Sequence, residues 1–251
     1  MSMPLPQFGI EAYDELLGRL RAAGCAFAPI ADLPTLSPER TVLLRHDVDL
    51  DPPSTLPMAE CEARRGIVAT YYMPLTQHFN ALDPVHRDAI RTLRSLGHDV
   101  GLHYDMRTYP AGEQAARAHL DWELGILTEI VGAPVRTLCM HQPHRGHPDP
   151  FRSLPGLVHP HDPSLQQDMV YVSDSCRAWG DADALRNVLD GEPPYRLLLN
   201  LHPELWLDAA VADPLDYLER VVRPRCLART GDAIDAEVSA WRGHRSAREP
   251  V

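Results

Sequence analysis

Four short segments gather histidine and carboxylate at the ends of apolar runs. The first is Arg45-His46-Asp47-Val48-Asp49-Leu50-Asp51, directly after Thr41-Val42-Leu43-Leu44. In an extended chain side chains alternate, so Asp47 and Asp49 share one face. Two carboxylates that close repel, and a bound cation or a shared proton relieves the repulsion. A turn with aspartate capping the helix that starts near Ser54 is the plainer use of the same residues. The second segment is Gly97-His98-Asp99-Val100-Gly101-Leu102-His103-Tyr104-Asp105. His98 and His103 stand at odd spacing and fall on opposite faces of a straight strand. They therefore do not ligate one metal together. His103, at the C-terminal end, is the ligand candidate, and His98 is assigned a structural hydrogen bond.

The third segment, Cys139-Met140-His141-Gln142-Pro143-His144-Arg145-Gly146-His147, places histidines at 141, 144 and 147. Such a group can form a metal site, although loop histidines are also common solvated residues. His141, nearest the apolar run, is preferred. The fourth is Leu197-Leu198-Leu199-Asn200-Leu201-His202-Pro203-Glu204-Leu205-Trp206. A histidine fixed between an apolar strand and a proline suits a general acid or base, with a buried structural histidine as the alternative. Ser173-Asp174-Ser175 either supplies a hydrogen bond to a site or makes a turn.

These segments need strands to position them, and the chain supplies strand-like runs alternating with helical ones. Glu11–Ala23 carries Tyr13, Leu16, Leu17 and Leu20 on one helical face and stops at Gly24. Ser54 to about Arg65 reads as a helix, Ile67–Tyr72 as a buried strand, and 85–96 as a helix stopping at Gly97. A strand at 99–102, a long helix at 113–131 and a strand at 135–140 follow. Residues 141–167 form a Pro-, His- and Gly-rich loop, and a loop that long is usually functional. Strands at 170–172 and 196–201 and helices at 214–222 and 232–241 close the chain, with 244–251 a frayed tail and 1–40 a helical extension. The pattern predicts a single α/β domain over 1–251, a distorted (β/α) barrel of about seven parallel strands. In such folds the C-terminal strand ends carry the chemistry.

Composition narrows the function. The 251 residues are 44% hydrophobic with net charge −11, which suits a sizeable core and opposes a nucleic-acid surface. No apolar run reaches the roughly 20 residues of a membrane span. All 24 basic residues are arginine, which excludes Schiff-base lysine chemistry and the P-loop lysine. Gly-x-Ser-x-Gly, Gly-x-Gly-x-x-Gly and His-Glu-x-x-His do not occur, so hydrolase-elbow and dinucleotide readings fall away. The five cysteines form no Cys-x-x-Cys pair and read as reduced thiols, and residues 1–6 show no signal peptide. A cytoplasmic protein is the expectation.

Taken in order, these segments resemble the polysaccharide deacetylase family, the carbohydrate esterases that share the chitooligosaccharide deacetylase homology domain, over about residues 41–206. Arg45-His46-Asp47-Val48-Asp49 is similar to the family's first motif, Gly97 to His103 to its second, and Leu199-Asn200-Leu201-His202 to its last. His141-Gln142-Pro143 falls where Arg-x-Pro is usual. The resemblance implies one divalent metal, usually zinc, and removal of an N-acetyl group from an amino sugar or sugar conjugate. It implies that Asp49 and His103 hold the metal, that Asp47 is the base and that His202 is the acid. Arg45 is placed to hold Asp47 ionised. Arg45, Tyr104, Asp174 and Trp206 are assigned to the substrate, the two aromatic rings stacking on a sugar face. One position departs from the pattern: four residues after His103 the family has a second metal histidine, and here Arg107 stands. Arginine stays protonated and ligates no metal. His141 is the first substitute, being at a neighbouring strand end, and Asp105 the second. With these departures the pattern is that of a divergent branch, and the expected substrate is a cytoplasmic amino-sugar precursor, small or oligosaccharide. Two other readings share the residues: the same barrel acting on another amide or imide C–N bond, and a binding protein without turnover. Arg107 favours the last, and the acid–base pair Asp47 and His202 speaks against it.

Overall fold

The computed structural model describes residues 5–36, 40–75, 78–143, 146–167, 169–192 and 196–246. His144 of the histidine loop and residues 247–251 of the expected tail lie outside them. The chain forms two compact units, Met1–Ala209 and Ala210–Val251.

The first unit is built around β2 (Thr41–Asp47), every residue of which is buried. It joins β1 (Ala26–Phe27), β3 (Thr70–Met73), β4 (Asp99–Tyr104), β5 (Leu138–Met140), β6 (Met169–Ser173) and β7 (Arg196–Leu201) in one parallel sheet, ordered β5-β4-β3-β2-β7-β6 with β1 beside β2. The near-continuous Val and Leu content of β2 and β7 follows from a parallel sheet covered on both faces. The sheet curls into a half-barrel, and among the described residues no ladder joins β5 to β6.

Alternation along β2 divides its side chains. Val42 and Leu44 enter the main core with Tyr13, Leu16, Leu17 and Leu20 of α1 (Ile10–Ala22) and Met58 and Cys61 of α2 (Leu56–Arg64). Leu43 belongs to a smaller cluster inside the curl, with Tyr72, Cys139, Leu198 and the Ile30 and Leu33 of a 3-10 turn. Arg45 and Asp47 follow Leu43 at period two and so emerge inside the curl. The remaining helices are α3 (Pro84–Ser95), α4 (Glu113–Val131) and α5 (Ala182–Leu189), the last capped by Asp181, whose carboxylate accepts from Ala184 N.

Several boundaries differ from the sequence reading. The strand expected at 135–140 begins at Leu138. The helix expected at 232–241 runs from Arg223 to Ser246 and so takes in residues 244–246 of the expected tail. Two more changes lie next to β2. Ser54 is not a helix cap: Pro52 and Pro53 open a 3-10 turn in which the Ser54 hydroxyl donates to Asp51, and α2 begins only at Leu56. The strand expected from Ile67 begins at Thr70. Thr70 pairs with Arg45, while the edge of β2 at Thr41 and Val42 is already taken by β1.

In the second unit, Asp213 caps α6 (Pro214–Tyr217) by accepting from Leu215 N and Asp216 N. A π-helical turn (Leu218–Val222) leads from it into α7 (Arg223–Ser246). Among the described residues no helix is long and apolar enough to cross a membrane.

Candidate metal and acid–base site

Parallel strands bring their C-terminal ends to one rim, where the polar segments meet. Val48 N donates to Tyr72 O at 3.1 Å, which carries the β2–β3 ladder past Asp47 and keeps Asp49 on the inner face. His103 pairs in register with Cys139, and His141 N donates to Tyr104 O at 2.8 Å. His141 therefore stands two residues above Cys139, on the same inner face as His103.

Asp49, His103 and His141 each offer one ligand atom, and the three atoms lie within 4.8 Å of one another. His141 Nδ1 is 3.1 Å from His103 Nε2 and 3.2 Å from Asp49 Oδ1, and His103 Nε2 is 3.6 Å from that oxygen. The donor chemistry fits a divalent cation. His103 Nδ1 faces the Cys139 carbonyl at 3.0 Å and must donate there, so the proton of the neutral ring is on Nδ1 and the Nε2 lone pair faces the cluster. Burial pushes His103 below its ordinary pKa, which favours that neutral ring. Asp49 Oδ1 is buried and receives no regular hydrogen bond. Burial opposes charge on Asp49, but the close approach of His141 Nδ1 and the nearby His103 outweigh it and hold the carboxyl below its usual range. One carboxylate oxygen and two imidazole nitrogens suit zinc, and also cobalt, nickel or iron.

Asp47 lies beside this cluster, Oδ2 3.7 Å from His103 Nε2. Arg45 grips it with two bonds, Nε to Oδ1 and Nη2 to Oδ2, both 2.8 Å. Asn200, the register partner of Arg45 on β7, donates to Asp47 Oδ2 at 3.2 Å. Burial alone would raise this carboxyl, and the Arg45 guanidinium reverses that and holds it well below the usual carboxylate range.

His202 enters from the end of β7. Its Nδ1 is 2.6 Å from Asp174 Oδ1, and its Nε2 is 4.0 Å from Asp49 Oδ2. Asp174 also accepts the His202 backbone N–H at 3.0 Å and the Trp206 indole N–H at 2.7 Å. Burial opposes the imidazolium, yet Asp174 pushes His202 up to about 10. Asp174 thus favours the charged form of the ring. Arg177, one of two consecutive left-handed residues after Asp174 (φ 57° at Cys176, 58° at Arg177), donates to Leu205 O and Asp208 O and ties down the segment after His202. Glu204 Oε1 accepts Asp49 N at 3.2 Å, and burial together with the Asp49 charge pushes Glu204 up to about 8.

Three substrate assignments are corrected. Trp206 is fully buried, packed against Phe8, Tyr13 and Trp179 at centroid distances of 4.8, 5.6 and 5.8 Å, so no sugar reaches its face. Tyr104 is equally buried and its hydroxyl donates to Asp149. Asp174 has no exposed surface, and it orients His202 instead of meeting substrate. Arg45 is buried on Asp47, which leaves it no free edge toward the rim on that side. Asp105 is drawn away from the metal cluster by Arg107, whose Nε donates to both carboxylate oxygens at 2.9 Å. His98 is structural: Nδ1 accepts Ala69 N–H at 3.2 Å and Nε2 donates to Ala59 O at 2.9 Å.

Sequence reasoning missed Asn200 and Glu204 as members of the site. The alternation Leu198, Asn200, His202 carried a signal for Asn200, since it puts the amide on the inner face. It also missed His159 and His161, which pack beside Arg45. His161 Nε2 accepts from Arg45 Nη1 at 2.8 Å, and burial pushes His159 down to about 3 and His161 down to about 4.

These shifts carry a pH signature. Unfolded histidine titrates near 6.5, so between about pH 6.5 and 4 the unfolded chain binds more protons and stability falls with falling pH. For His159, 2% exposed, the slope reaches at most about 1.4 kcal/mol per pH unit. Urea midpoints measured from pH 7 to 4.5 are expected to fall, and His159→Phe is expected to flatten the curve. An identical slope in the variant would show that His159 protonates as freely folded as unfolded.

No protein-family model matches the sequence, and no curated protein matches it. Solved structures do match, at a distance. One is a CE4 family pseudoenzyme from Bacillus anthracis, at 13% identity and TM-score 0.45, covering 66% of this chain and 60% of that one. The chain thus spans about three-fifths of that protein's length. Another is a family 4 acetyl xylan esterase from Clostridium thermocellum in complex with a cobalt ion, at 15% identity and TM-score 0.44, covering 75% and 84%. A third is a polysaccharide deacetylase from Bacillus cereus, at 16% identity and TM-score 0.41, covering 74% and 89%.

Proposed function

We propose that the protein is a metal-dependent hydrolase that removes an N-acetyl group from an amino sugar or sugar conjugate. The observation that carries this reading is the meeting of three ligand atoms within 4.8 Å, those of Asp49, His103 and His141, with two proton-handling groups of opposite kind beside them. A binding protein has no use for an ionised Asp47 and a protonated His202 on either side of one cluster.

A divalent cation, zinc in this reading, held by Asp49, His103 and His141 would polarise the acyl carbonyl and make water more acidic. Asp47 is ionised, and one of its oxygens takes the proton of the attacking water as the O–C bond forms. Arg45 and Asn200 keep that carboxylate from turning away. His202 then gives its proton to the departing nitrogen as the C–N bond breaks, and Asp174 stabilises the imidazolium until that moment. His141 takes the ligand place that the motif pattern gives to the residue at Arg107. The amide class is favoured over a leaving group that departs unprotonated, because His202 is held charged. The five free cysteines support a reducing compartment, and with it a cytoplasmic precursor as substrate.

Elemental analysis of the purified chain tests the reading first. One equivalent of divalent metal is expected, lost in both Asp49→Ala and His103→Ala, with acetate released from N-acetylated sugars only by the metal-loaded parent. A parent that takes up no zinc or cobalt on incubation would end the hydrolase reading.

A further inference from the structure

On the outside of the sheet, α3 and α4 frame an open groove of about 580 Å³. Both helices connect neighbouring parallel strands, β3 to β4 and β4 to β5, so they run side by side in the same direction. Arg91 Nε donates to Ile130 O at 3.0 Å and fixes their level. One wall is α3, with Arg87 and Arg91. The other is α4, whose side chains fall in two ridges at the four-residue spacing of a helix face. Trp122, Ile126 and Ile130 form an apolar ridge, and Asp121, Gly125 and Glu129 form the ridge beside it.

The packing of a single chain does not account for this surface. Trp122 is 56% exposed, with the His119 ring 5.3 Å away, although tryptophan is usually well buried. Gly125 stands inside a 19-residue helix, where it weakens the helix relative to alanine. Nothing lies within 4 Å of the place a Cβ would take there, so no neighbour in the chain demands a glycine. It does leave room for the backbone of a helix arriving from outside. The charges are also incompletely matched. Among the described residues Glu129 makes no ion pair, and Arg87 only the long one to Asp88, at 3.9 Å. Asp121 pairs with Arg117 of its own helix, at 2.9 Å. One wall is thus basic and the other acidic, whereas a nucleic acid or an anionic surface calls for one sign. A two-fold axis satisfies both walls, because in an isologous contact residue i meets j and j meets i. With that axis at Gly125, α4 of each copy seats in the groove of the other, acidic ridge against arginine wall. Ridges of residues four apart interlock in the commonest helix packing.

We propose that this groove is the interface between two copies of the chain, crossed at Gly125, with Trp122 as its apolar anchor and Arg87 and Arg91 facing Asp121 and Glu129 of the second copy. The test is analytical ultracentrifugation of the full-length chain over a concentration series. The parent is expected to dimerise. Gly125→Gln improves the helix but fills the crossing point, and it should associate about tenfold more weakly or worse. Two further chains each reverse one wall, Arg87→Glu with Arg91→Glu in the first and Asp121→Arg with Glu129→Arg in the second. These side chains are exposed or half-buried, so both chains are expected to fold. Each alone opposes like charges and should stay a monomer, while a mixture restores attraction on both sides and should give a one-to-one dimer. A parent that stays monomeric up to about 1 mM overturns the proposal, and this is also the result if the groove serves a different partner. Undiminished association of Gly125→Gln overturns it too, as do reversed chains that fold yet do not pair on mixing. Should a reversed chain fail to fold, the Gly125→Gln comparison decides alone.

Discussion

Replacing Asp47 with asparagine is expected to lower turnover of an N-acetylated sugar by about 10²–10⁴-fold, the usual worth of a positioned general base. Bound metal should stay near one equivalent, because the closest ligand atoms belong to Asp49, His103 and His141. The amide still offers an oxygen to the Arg45 guanidinium, so the fold is expected to survive, but it takes no proton from water. Asp47→Ala should lose activity equally and in addition lose about 3–5 kcal/mol of stability, because it strands a guanidinium that is 3% exposed. The two variants separate chemistry from scaffold. Turnover within tenfold of the parent in Asp47→Asn would remove Asp47 as the base, whatever its metal content.

What the chain disclosed before folding, and what it withheld, follows the range of the interactions. Alternation is local, and it placed Arg45, Asp47 and Asp49 on one face and set His98 apart from His103. Strand ends were legible to within about three residues for the same reason, since the apolar runs stop close to a histidine or aspartate. Asp174 shows the limit. Whether a strand-end aspartate meets solvent or an imidazole depends on the β6–β7 register, in which Ser173 lies opposite Asn200, and nothing within a few residues of Asp174 encodes that. Trp206 and Tyr104 erred likewise, because their burial is decided by Phe8, Tyr13 and Asp149, distant in sequence. Arg107 was readable as a residue that ligates no metal. That it would also take Asp105 out of contention, through a pair only two residues apart, needed the turn between them.

A second large effect is expected on the other face of the sheet, at Glu62. This residue of α2 reads in the sequence as one more charge on a helix, yet it is fully buried. One oxygen accepts from the Tyr13 hydroxyl and from His46 Nε2 at 2.6 Å, and the other from the Tyr71 hydroxyl at 2.8 Å. Burial opposes its charge, but His46 and the hydroxyls outweigh burial and hold the carboxyl below its ordinary range. His98 Nδ1 lies 3.5 Å away but already accepts the Ala69 N–H, so it is a neutral neighbour, not an ion partner. Glu62→Leu would leave two buried hydroxyls and one imidazole N–H without an acceptor, an expected loss of about 3–5 kcal/mol. In a chain of this size that lowers Tm by roughly 10 °C. Adding Tyr13→Phe and Tyr71→Phe to Glu62→Leu should recover part of the loss, since the stranded donors are then gone. This recovery distinguishes unsatisfied polar groups from a packing defect, which the extra substitutions would not mend. His46 lies between Arg45 and Asp47, so the bond to Glu62 pins β2 from behind at the point where its inner face presents the proposed base. A Glu62→Leu chain within 1 kcal/mol of the parent would mean that these groups find water, and that β2 is held by its ladder alone.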